Sequence, residues 1–183
     1  MIKDRIKLEK MEYNDIAGIE EIYVEAFPKC ERKPFSIILT HNESGAGSVL
    51  KIMLDGVLCG FFFTFFYGEL AMVDYFAIHK DYRNMGIGEI AISLLREEYS
   101  DKKIFLEIED PGSSEMAARR LGFYKRCGFL QVGTYVNLFS VDMELLALGD
   151  FTVDFKTYFE LYVSMLGKIR AKRNVIERIS ENK

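Results

Sequence analysis

Residues 81–95 read DYRNMGIGEIAISLL, and this stretch is the most informative part of the sequence. A polar run ends in Gly86-Ile87-Gly88, and apolar residues then recur at 87, 90, 91, 94 and 95, which is helical spacing. The first N–H groups of a helix lack intrahelical partners, and the helix dipole adds partial positive charge there. A phosphate can accept several of these N–H groups where no Cβ blocks its approach. The stretch predicts an anion-binding turn, and a turn that needs glycine only for its φ angles is the alternative.

The segments around this turn predict a mixed sheet. Asp55-Gly56 separates two apolar runs and favours the positive φ angles of a tight hairpin. A strand–helix–strand crossover lies in mid-chain, with hairpins around it. The predicted class is α/β (α+β), with a mixed, mostly antiparallel central sheet of about seven strands, helices on both faces and an added C-terminal helix. Strands are predicted at 6–11, 47–54, 57–67, 69–78, 103–109, 129–139 and 140–148, and helices at 14–27, 34–40, 87–99, 113–127 and about 152–178.

The length and composition fit one folded domain. The chain has 183 residues, of which 49% are hydrophobic and 28% charged, so we expect a single domain over 1–183 with a core of about 3–147. A net charge of −4 argues against a nucleic-acid partner, because nucleic-acid binders usually carry a basic face.

Cysteine and apolar patterns indicate the compartment. Cys30, Cys59 and Cys127 are too scattered for a disulfide framework, and with two histidines they make a metal site improbable. The N-terminal residues lack the apolar stretch of a signal peptide. The most apolar run, GFFFTFFYG at 60–68, is too short to span a bilayer. We therefore expect a soluble, cytoplasmic protein without a membrane partner.

A dinucleotide fingerprint is the rival interpretation of the glycines. Residues 86–91 spell G-x-G-x-x-A, and Glu107 and Glu109 follow about 20 residues later. In that fingerprint the first glycine comes almost directly off the strand, whereas HKDYRNM separates the strand from Gly86 here. The spacing argues against a dinucleotide site.

Two motifs carry a resemblance to a known family. Arg83-Asn84-Met85-Gly86-Ile87-Gly88 fits R/Q-x-x-G-x-G/A, the acetyl-CoA signature of the GCN5-related N-acetyltransferases (the GNAT superfamily), and DYFAIHKDYR at 74–83 is similar to its lead-in strand. RRLGFYKRCGF at 119–129 is similar to the second motif of the family, in which a tyrosine lies four residues before Gly-Phe. The resemblance covers roughly residues 3–147.

One position departs from the family pattern. The family often has an asparagine about seven residues before the tyrosine, near the start of the second helix, where this chain has Ala117. That contact to the cofactor is therefore missing or is supplied by Ser113 or Ser114.

The resemblance implies an acetyl-CoA-dependent N-acetyltransferase in which an amine attacks the acetyl thioester directly. Strands 69–78 and 103–109 should splay apart into a V-shaped slot, and a backbone N–H near Phe76 could stabilise the oxyanion. The implied cofactor-binding residues are Phe76, Ala77, Ile78, Arg83, Asn84, Met85, Gly86, Ile87, Gly88 and Ser114.

Amine attack needs a group that accepts a proton. Freeing an alkyl amine of pKa near 10.4 costs about 4.6 kcal/mol at neutral pH. Asp74, the single carboxylate in LAMVDYFAI, is the first candidate base, and Glu107 and Glu109 on the next strand are the others. A buried carboxylate with an ordinary structural role is the alternative for Asp74.

Tyr124 is the candidate general acid, because a phenol of pKa about 10 can protonate a leaving thiolate of pKa near 8.5. An aromatic side chain that packs the helix on the sheet is its alternative role. Cys127 is interpreted as a small core residue and not as a nucleophile.

Glu31 and Arg32 lie in the loop between the first two helices, which borders the acceptor site in this superfamily. They are the candidate substrate-binding residues, with a solvated loop as the alternative. Glu31 together with Asp74 and Glu109 would favour a cationic amine. The acceptor is expected to be a small-molecule or peptide amine.

The sequence leaves alternatives for the activity and for the C-terminal helix. A non-catalytic acyl-CoA binder on the same fold would carry the same residues at 83–88. The C-terminal amphipathic helix could cap the sheet of its own domain or pair with another copy in a homodimer.

Overall fold

The structure is a computed structural model that describes residues 2–178. It divides into two compact units. The first holds the chain up to Phe66 together with Ala71–Ser100, and the second holds Tyr67–Leu70 together with the chain from Asp101 onward. The expectation of one domain over residues 1–183 stays a prediction.

The predicted fold class is confirmed. Within residues 2–178 the chain forms a mixed, mostly antiparallel sheet of eight strands, with six α-helices. The prediction of about seven strands is short by one, which lies near the C-terminus.

The first unit carries four strands in the spatial order β1-β2-β3-β4 and three helices. Asp55 and Gly56 join β2 to β3 with φ angles of 50° and 80°, so the predicted hairpin is confirmed. The strands are β1 (Ile6–Lys10), β2 (Gly47–Leu54), β3 (Val57–Tyr67) and β4 (Leu70–Ile78), and the helices are α1 (Ile16–Ala26), α2 (Phe35–Ser44) and α3 (Ile87–Glu98).

The middle of β3 is buried on both faces, as its continuous apolar sequence requires. Phe61, Phe62, Phe63 and Phe65 are all at most 1% exposed. Gly60 has a separate role, because a Cβ built there would lie 2.4 Å from the carbonyl oxygen of Ala77. The close approach at Gly60 therefore sets where the end of β4 lies, and that end leads into the turn before α3.

The second unit carries four strands in the spatial order β5-β7-β6-β8, and each neighbouring pair is antiparallel. The strands are β5 (Lys103–Glu109), β6 (Phe129–Leu138), β7 (Val141–Leu148) and β8 (Val175–Arg178), and the helices are α4 (Glu115–Arg126), α5 (Phe155–Leu166) and α6 (Lys168–Asn174).

The prediction of one C-terminal helix over about 152–178 is wrong. Gly167 has φ 81° and ψ 154°, which ends α5 after Leu166, and α6 follows as a separate helix. Val175–Arg178 form β8, which pairs with β6 with Val175 opposite Leu138. The pattern of apolar residues does not predict this strand. Its extended conformation is selected by pairing with β6 and not by the sequence of the strand itself. Residues 179–183 lie outside the described residues.

None of the helices in residues 2–178 is long and apolar enough to cross a membrane. In the same part of the chain, no group of three or more His, Cys, Asp and Glu side chains is placed so that it could hold a metal ion.

We predict that Gly167→Ala lowers the free energy of unfolding by about 1–3 kcal/mol. The φ and ψ of Gly167 lie in a region that is essentially open to glycine alone, and no atom lies within 4 Å of the added Cβ, so the cost is backbone strain. Urea unfolding followed by circular dichroism measures it.

Gly122→Ala, inside α4, is the matched control. Its added Cβ would lie 3.9 Å from the nearest heavy atom, so the higher helix propensity of alanine should raise stability by about 0.5–1 kcal/mol. Equal effects of the two substitutions would contradict the prediction.

Candidate functional site

The turn between β4 and α3 leaves main-chain N–H groups available to a ligand. A 3₁₀ turn at Lys80–Tyr82 follows β4, and Arg83 is extended after it. Asn84 and Gly86 then adopt left-handed φ angles of 62° and 76°, and α3 begins at Ile87. Gly86 has no side chain with which to cap the helix, and no heavy atom beyond its two chain neighbours lies within 4 Å of the place where its Cβ would be. The turn therefore offers an open approach to the first N–H groups of α3.

All six predicted residues of the signature, Arg83, Asn84, Met85, Gly86, Ile87 and Gly88, lie in this turn or the first helical turn after it. Ile87 is 1% exposed and anchors the helix, whereas Met85 is 47% exposed. The 3₁₀ turn between β4 and Gly86 supports the spacing argument against a dinucleotide fingerprint.

Arg83 fastens the turn at two points. Its Nε donates to the carbonyl oxygen of Ile78 at 2.8 Å, and its Nη2 donates to Oε1 of Glu25 at 2.9 Å. His79 Nε2 lies 3.3 Å from the other carboxylate oxygen of Glu25. Glu25 was not predicted as part of the site, because it lies on α1 and no local sequence signal links it to Arg83.

The end of β4 carries the three residues predicted to hold the cofactor arm. Phe76 is half-buried and stacks on Phe62 with ring centroids 4.4 Å apart, while Ala77 is buried. The carbonyl oxygen of Ile78 already accepts the bond from Arg83. These contacts hold the strand end and the turn together, and the cofactor contacts of Phe76, Ala77 and Ile78 stay predictions.

Asp74 is paired with a lysine that the sequence analysis did not identify. Lys33 Nζ donates to both carboxylate oxygens of Asp74 at 2.6 Å, and the two side chains are 14% and 4% exposed. The pair joins β4 to the segment between α1 and α2. Asp74 is therefore a buried carboxylate with a counter-ion, which is close to the structural alternative raised for it.

Two tyrosines hold the same segment against β4. Tyr75 accepts from the Lys33 N–H at 3.1 Å and donates to the Glu31 carbonyl oxygen at 2.9 Å, and Tyr23 donates to the Lys33 carbonyl oxygen at 3.0 Å. Burial raises the pKa of Tyr23 to about 12 and that of Tyr75 further still, so both stay neutral and can donate. The backbone at 31–33 is thereby fixed.

The two predicted substrate-binding residues differ in their surroundings. The residue Glu31 is exposed. Arg32 lines a pocket of about 340 Å³ in the first unit, and its Nε atom is buried without a hydrogen-bond partner among the described residues.

Glu107 and Glu109 on β5 have different partners. Glu107 accepts hydrogen bonds from the hydroxyls of Tyr158 and Tyr162, both on α5 and both 0% exposed. Glu109 is 31% exposed and lies 3.5 Å from Nη1 of Arg120 on α4. The contacts of Glu107 tie α5 to the sheet of the second unit.

Ser114 and Tyr124 both belong to α4. The Oγ of Ser114 accepts from the Ala117 N–H at 3.1 Å and so caps α4, while the cofactor contact of Ser114 stays a prediction. Tyr124 is half-buried between Phe123 and Phe129, and burial raises its pKa to about 12. Ala117, which replaces the asparagine of the family pattern, is 0% exposed. The catalytic role of Tyr124 and the slot between strands 69–78 and 103–109 also stay predictions.

A known protein family matches the part of the chain that contains the turn at 83–88. The model of the Acetyltransferase (GNAT) family matches residues 16–129, which include both motifs. The chain belongs to the GNAT family. The resemblance drawn from the two motifs is thereby confirmed. No curated protein matches the chain.

Solved GNAT structures share the fold. A Bacteroides thetaiotaomicron protein assigned to the GNAT family of acetyltransferases is 26% identical, with a TM-score of 0.76 over 88% of this chain and 99% of that one. The Vibrio cholerae spermidine N-acetyltransferase, in complex with CoA and spermine, is 14% identical, with a TM-score of 0.63 over 79% and 95%. The Escherichia coli ribosomal-protein-S18-alanine N-acetyltransferase is 19% identical, with a TM-score of 0.59 over 78% and 92%.

We predict that Lys33→Met destabilises the protein by about 3–5 kcal/mol, because it leaves the Asp74 carboxylate buried without its counter-ion. The double variant Lys33→Met/Asp74→Leu should recover most of that loss, since it removes both charges. Urea unfolding of the single and double variants measures the coupling between the two side chains.

The control is Lys103→Met, which breaks a pair of similar length in solvent. Lys103 Nζ lies 2.7 Å from Glu69 Oε1, with side chains 47% and 67% exposed, so its loss should cost about 0–1 kcal/mol. A double variant as unstable as Lys33→Met would show that the buried pair is not the source of the effect.

Proposed function

We propose that this GNAT protein is an acetyl-CoA-dependent N-acetyltransferase that moves the acetyl group to a primary amine by direct attack on the thioester. The observation that carries the proposal is the open turn at 83–88, in a chain whose family consists of acetyltransferases. The turn fits a diphosphate because the first N–H groups of a helix lack intrahelical acceptors and Gly86 leaves the approach clear.

The turn would bind the diphosphate of acetyl-CoA through main-chain N–H groups at positions 84–88. Arg83 acts mainly by holding this turn, because its guanidinium already contacts Ile78 and Glu25. In the proposal, β4 residues Phe76, Ala77 and Ile78 hold the pantetheine arm through their backbone. Acetyl-CoA supplies the acyl group and the thiolate leaving group, and the protein supplies position and proton transfer.

The three candidate bases differ in how tightly their carboxylates are held by neighbouring side chains. Glu107 binds two tyrosine hydroxyls, and Asp74 is held through both oxygens by Lys33. Glu109 has its cation at 3.5 Å and remains 31% exposed, so it can reach a water or an amine with the least rearrangement. We therefore propose Glu109 as the proton acceptor, directly or through water.

Tyr124 is proposed as the general acid. A pKa of about 12 keeps the phenol protonated throughout the neutral range. Full proton transfer to a thiolate of pKa near 8.5 would then be uphill by about 5 kcal/mol, against about 2 kcal/mol for an ordinary phenol. Tyr124 therefore acts best as a hydrogen-bond donor to the developing thiolate.

The proposal also covers the acceptor, the cellular compartment and the assembly of the protein. A small-molecule or peptide amine is the acceptor, and the family relatives with spermine and ribosomal-protein acceptors show both classes within the fold. The net charge of −4 supports a partner other than nucleic acid. We place the protein in the cytoplasm, as a single domain over residues 1–183 that can form a homodimer.

Release of CoA thiol from acetyl-CoA in the presence of an amine panel tests the proposal. The panel holds polyamines, aminoglycosides, amino acids and peptide N-termini, and turnover with at least one class is expected. Binding of acetyl-CoA without turnover of any amine would indicate a non-catalytic acyl-CoA-binding protein.

We predict that Gly86→Val weakens acetyl-CoA binding at least 100-fold in isothermal titration calorimetry. The β-branched side chain would fill the space left open above the turn, where the diphosphate is proposed to lie.

Gly45→Val is a closely matched control for this substitution. Gly45 ends α2 with φ 75° and ψ 3°, against 76° and 0° for Gly86, and its Cβ would also meet open space. Both variants carry the same backbone strain, so only the loss of binding at Gly86 reports the ligand. Unaltered affinity in Gly86→Val would contradict the proposed diphosphate site.

We predict that Tyr124→Phe lowers kcat about 10- to 1000-fold with little change in acetyl-CoA affinity, since the hydroxyl is used only as the thiolate forms. The pKa of about 12 also predicts that the wild-type kcat shows no fall from deprotonation of Tyr124 up to pH 10. Tyr13→Phe, at an 87% exposed position, is the control. A wild-type kcat in Tyr124→Phe would remove this residue from the mechanism.

A further inference from the structure

The pocket beside α1 has an excess of positive charge. It occupies about 340 Å³, and Lys29, Arg32 and Lys33 line it together with one carboxylate, Glu20. Lys33 is neutralised by Asp74, which leaves two cations against one anion. Neither Lys29 nor Arg32 forms an ion pair within residues 2–178.

The guanidinium of Arg32 has a hydrogen-bond donor in this pocket that no described residue satisfies. Its Nε–H is buried, and it has no acceptor among the residues that the structure describes. A buried guanidinium N–H without an acceptor is costly, so such a group commonly marks the position of an acceptor that the protein does not itself supply. The planar guanidinium matches a carboxylate, which accepts two parallel N–H bonds.

The pocket wall is rigidly attached to the strand of the proposed acyl-transfer site. Lys33 lines the pocket and contacts Asp74 on β4, and the Tyr75 hydroxyl accepts from the Lys33 N–H. A ligand group bound at Arg32 is therefore held at a fixed place relative to β4, as a specificity site requires.

The same contacts remove the basis for expecting a purely cationic acceptor. That expectation rested on the charges of Glu31, Asp74 and Glu109. Asp74 now has Lys33 as its counter-ion, and Glu109 lies near Arg120. Two of the three carboxylates thus bring no excess negative charge.

We propose that the acceptor amine carries a carboxylate, and that Arg32 binds this carboxylate in the pocket while Lys29 adds long-range attraction. The inference rests on the proposed N-acetyltransferase function and specifies its substrate class. It makes Arg32 a specificity-determining residue and separates this chain from enzymes that select polyamines.

Matched amine pairs that differ only in the carboxylate test the proposal. L-Lysine is compared with cadaverine, and L-ornithine with putrescine, by isothermal titration calorimetry into protein saturated with CoA. CoA has no acetyl group to transfer, so the measurement reports binding alone. We expect the amino acid of at least one pair to bind at least 10-fold more tightly than its diamine.

Variants of Arg32 assign the preference to the pocket. Arg32→Gln should bring the two members of a pair to within 2-fold of each other. Arg32→Lys, which keeps the charge but not the planar fork, should retain part of the difference. Lys7→Gln, an exposed lysine on β1, is the control and should leave the preference unchanged. Circular dichroism melts confirm that each variant is folded.

The outcomes separate this inference from the proposed function. The carboxylate site is overturned if the diamines bind as tightly as the amino acids or more tightly. It is also overturned if none of the four amines binds, or if Arg32→Gln keeps the preference of the wild type. The function fails separately, if acetyl-CoA binds and no amine of the panel described above releases thiol.

Discussion

The first N–H groups of α3, for which a helix offers no intrahelical acceptor, are the constraint around which the first unit is arranged. They are useful to an anion only if the chain enters the helix through left-handed backbone at Asn84 and Gly86 and leaves the approach open. That entry is held from two sides. Gly60 allows β3 to approach Ala77 at the end of β4, and Arg83 bonds both to Ile78 and to Glu25 on α1. The geometry of the turn is thus a property of the packed unit and not of the glycines alone.

The Lys33–Asp74 pair shows how a single acid in an apolar strand can be misleading. A lone carboxylate in LAMVDYFAI suggests a base, because burying an unpaired charge is too costly to be accidental. In the structure the charge is balanced by a lysine 41 residues away, and Tyr23 and Tyr75 fix the backbone around it. The cluster therefore stabilises the segment between α1 and α2 and shapes the pocket there. In the proposed function, the cluster positions Arg32 and Lys33.

Glu107 illustrates the same principle in the second unit. Two fully buried tyrosines of α5 direct their hydroxyls at its carboxylate, which satisfies the acid and attaches the helix to β5 at once. The C-terminal segment is thus an integral part of its unit, and β8 extends it by pairing with β6. Glu109, by contrast, has its counter-ion Arg120 at 3.5 Å and keeps 31% of its side chain exposed.

The fold class, the family and the place of the turn at 83–88 could be predicted from the sequence, because they depend on local patterns. Hydrophobic periodicity and the Asp-Gly hairpin act over a few residues, and the structure has the predicted strands and helices up to residue 148, with some ends shifted. The two glycines mark the turn, whose contact with an anion stays a prediction. Only the folded structure shows the partners of the acids, the role of Glu25, the break at Gly167 and the strand β8. Each of these depends on groups that are far apart in the chain and meet only in the folded protein, where burial makes unpaired charges and hydrogen bonds costly. The placement of Arg32 in a pocket with an excess of positive charge belongs to this second class.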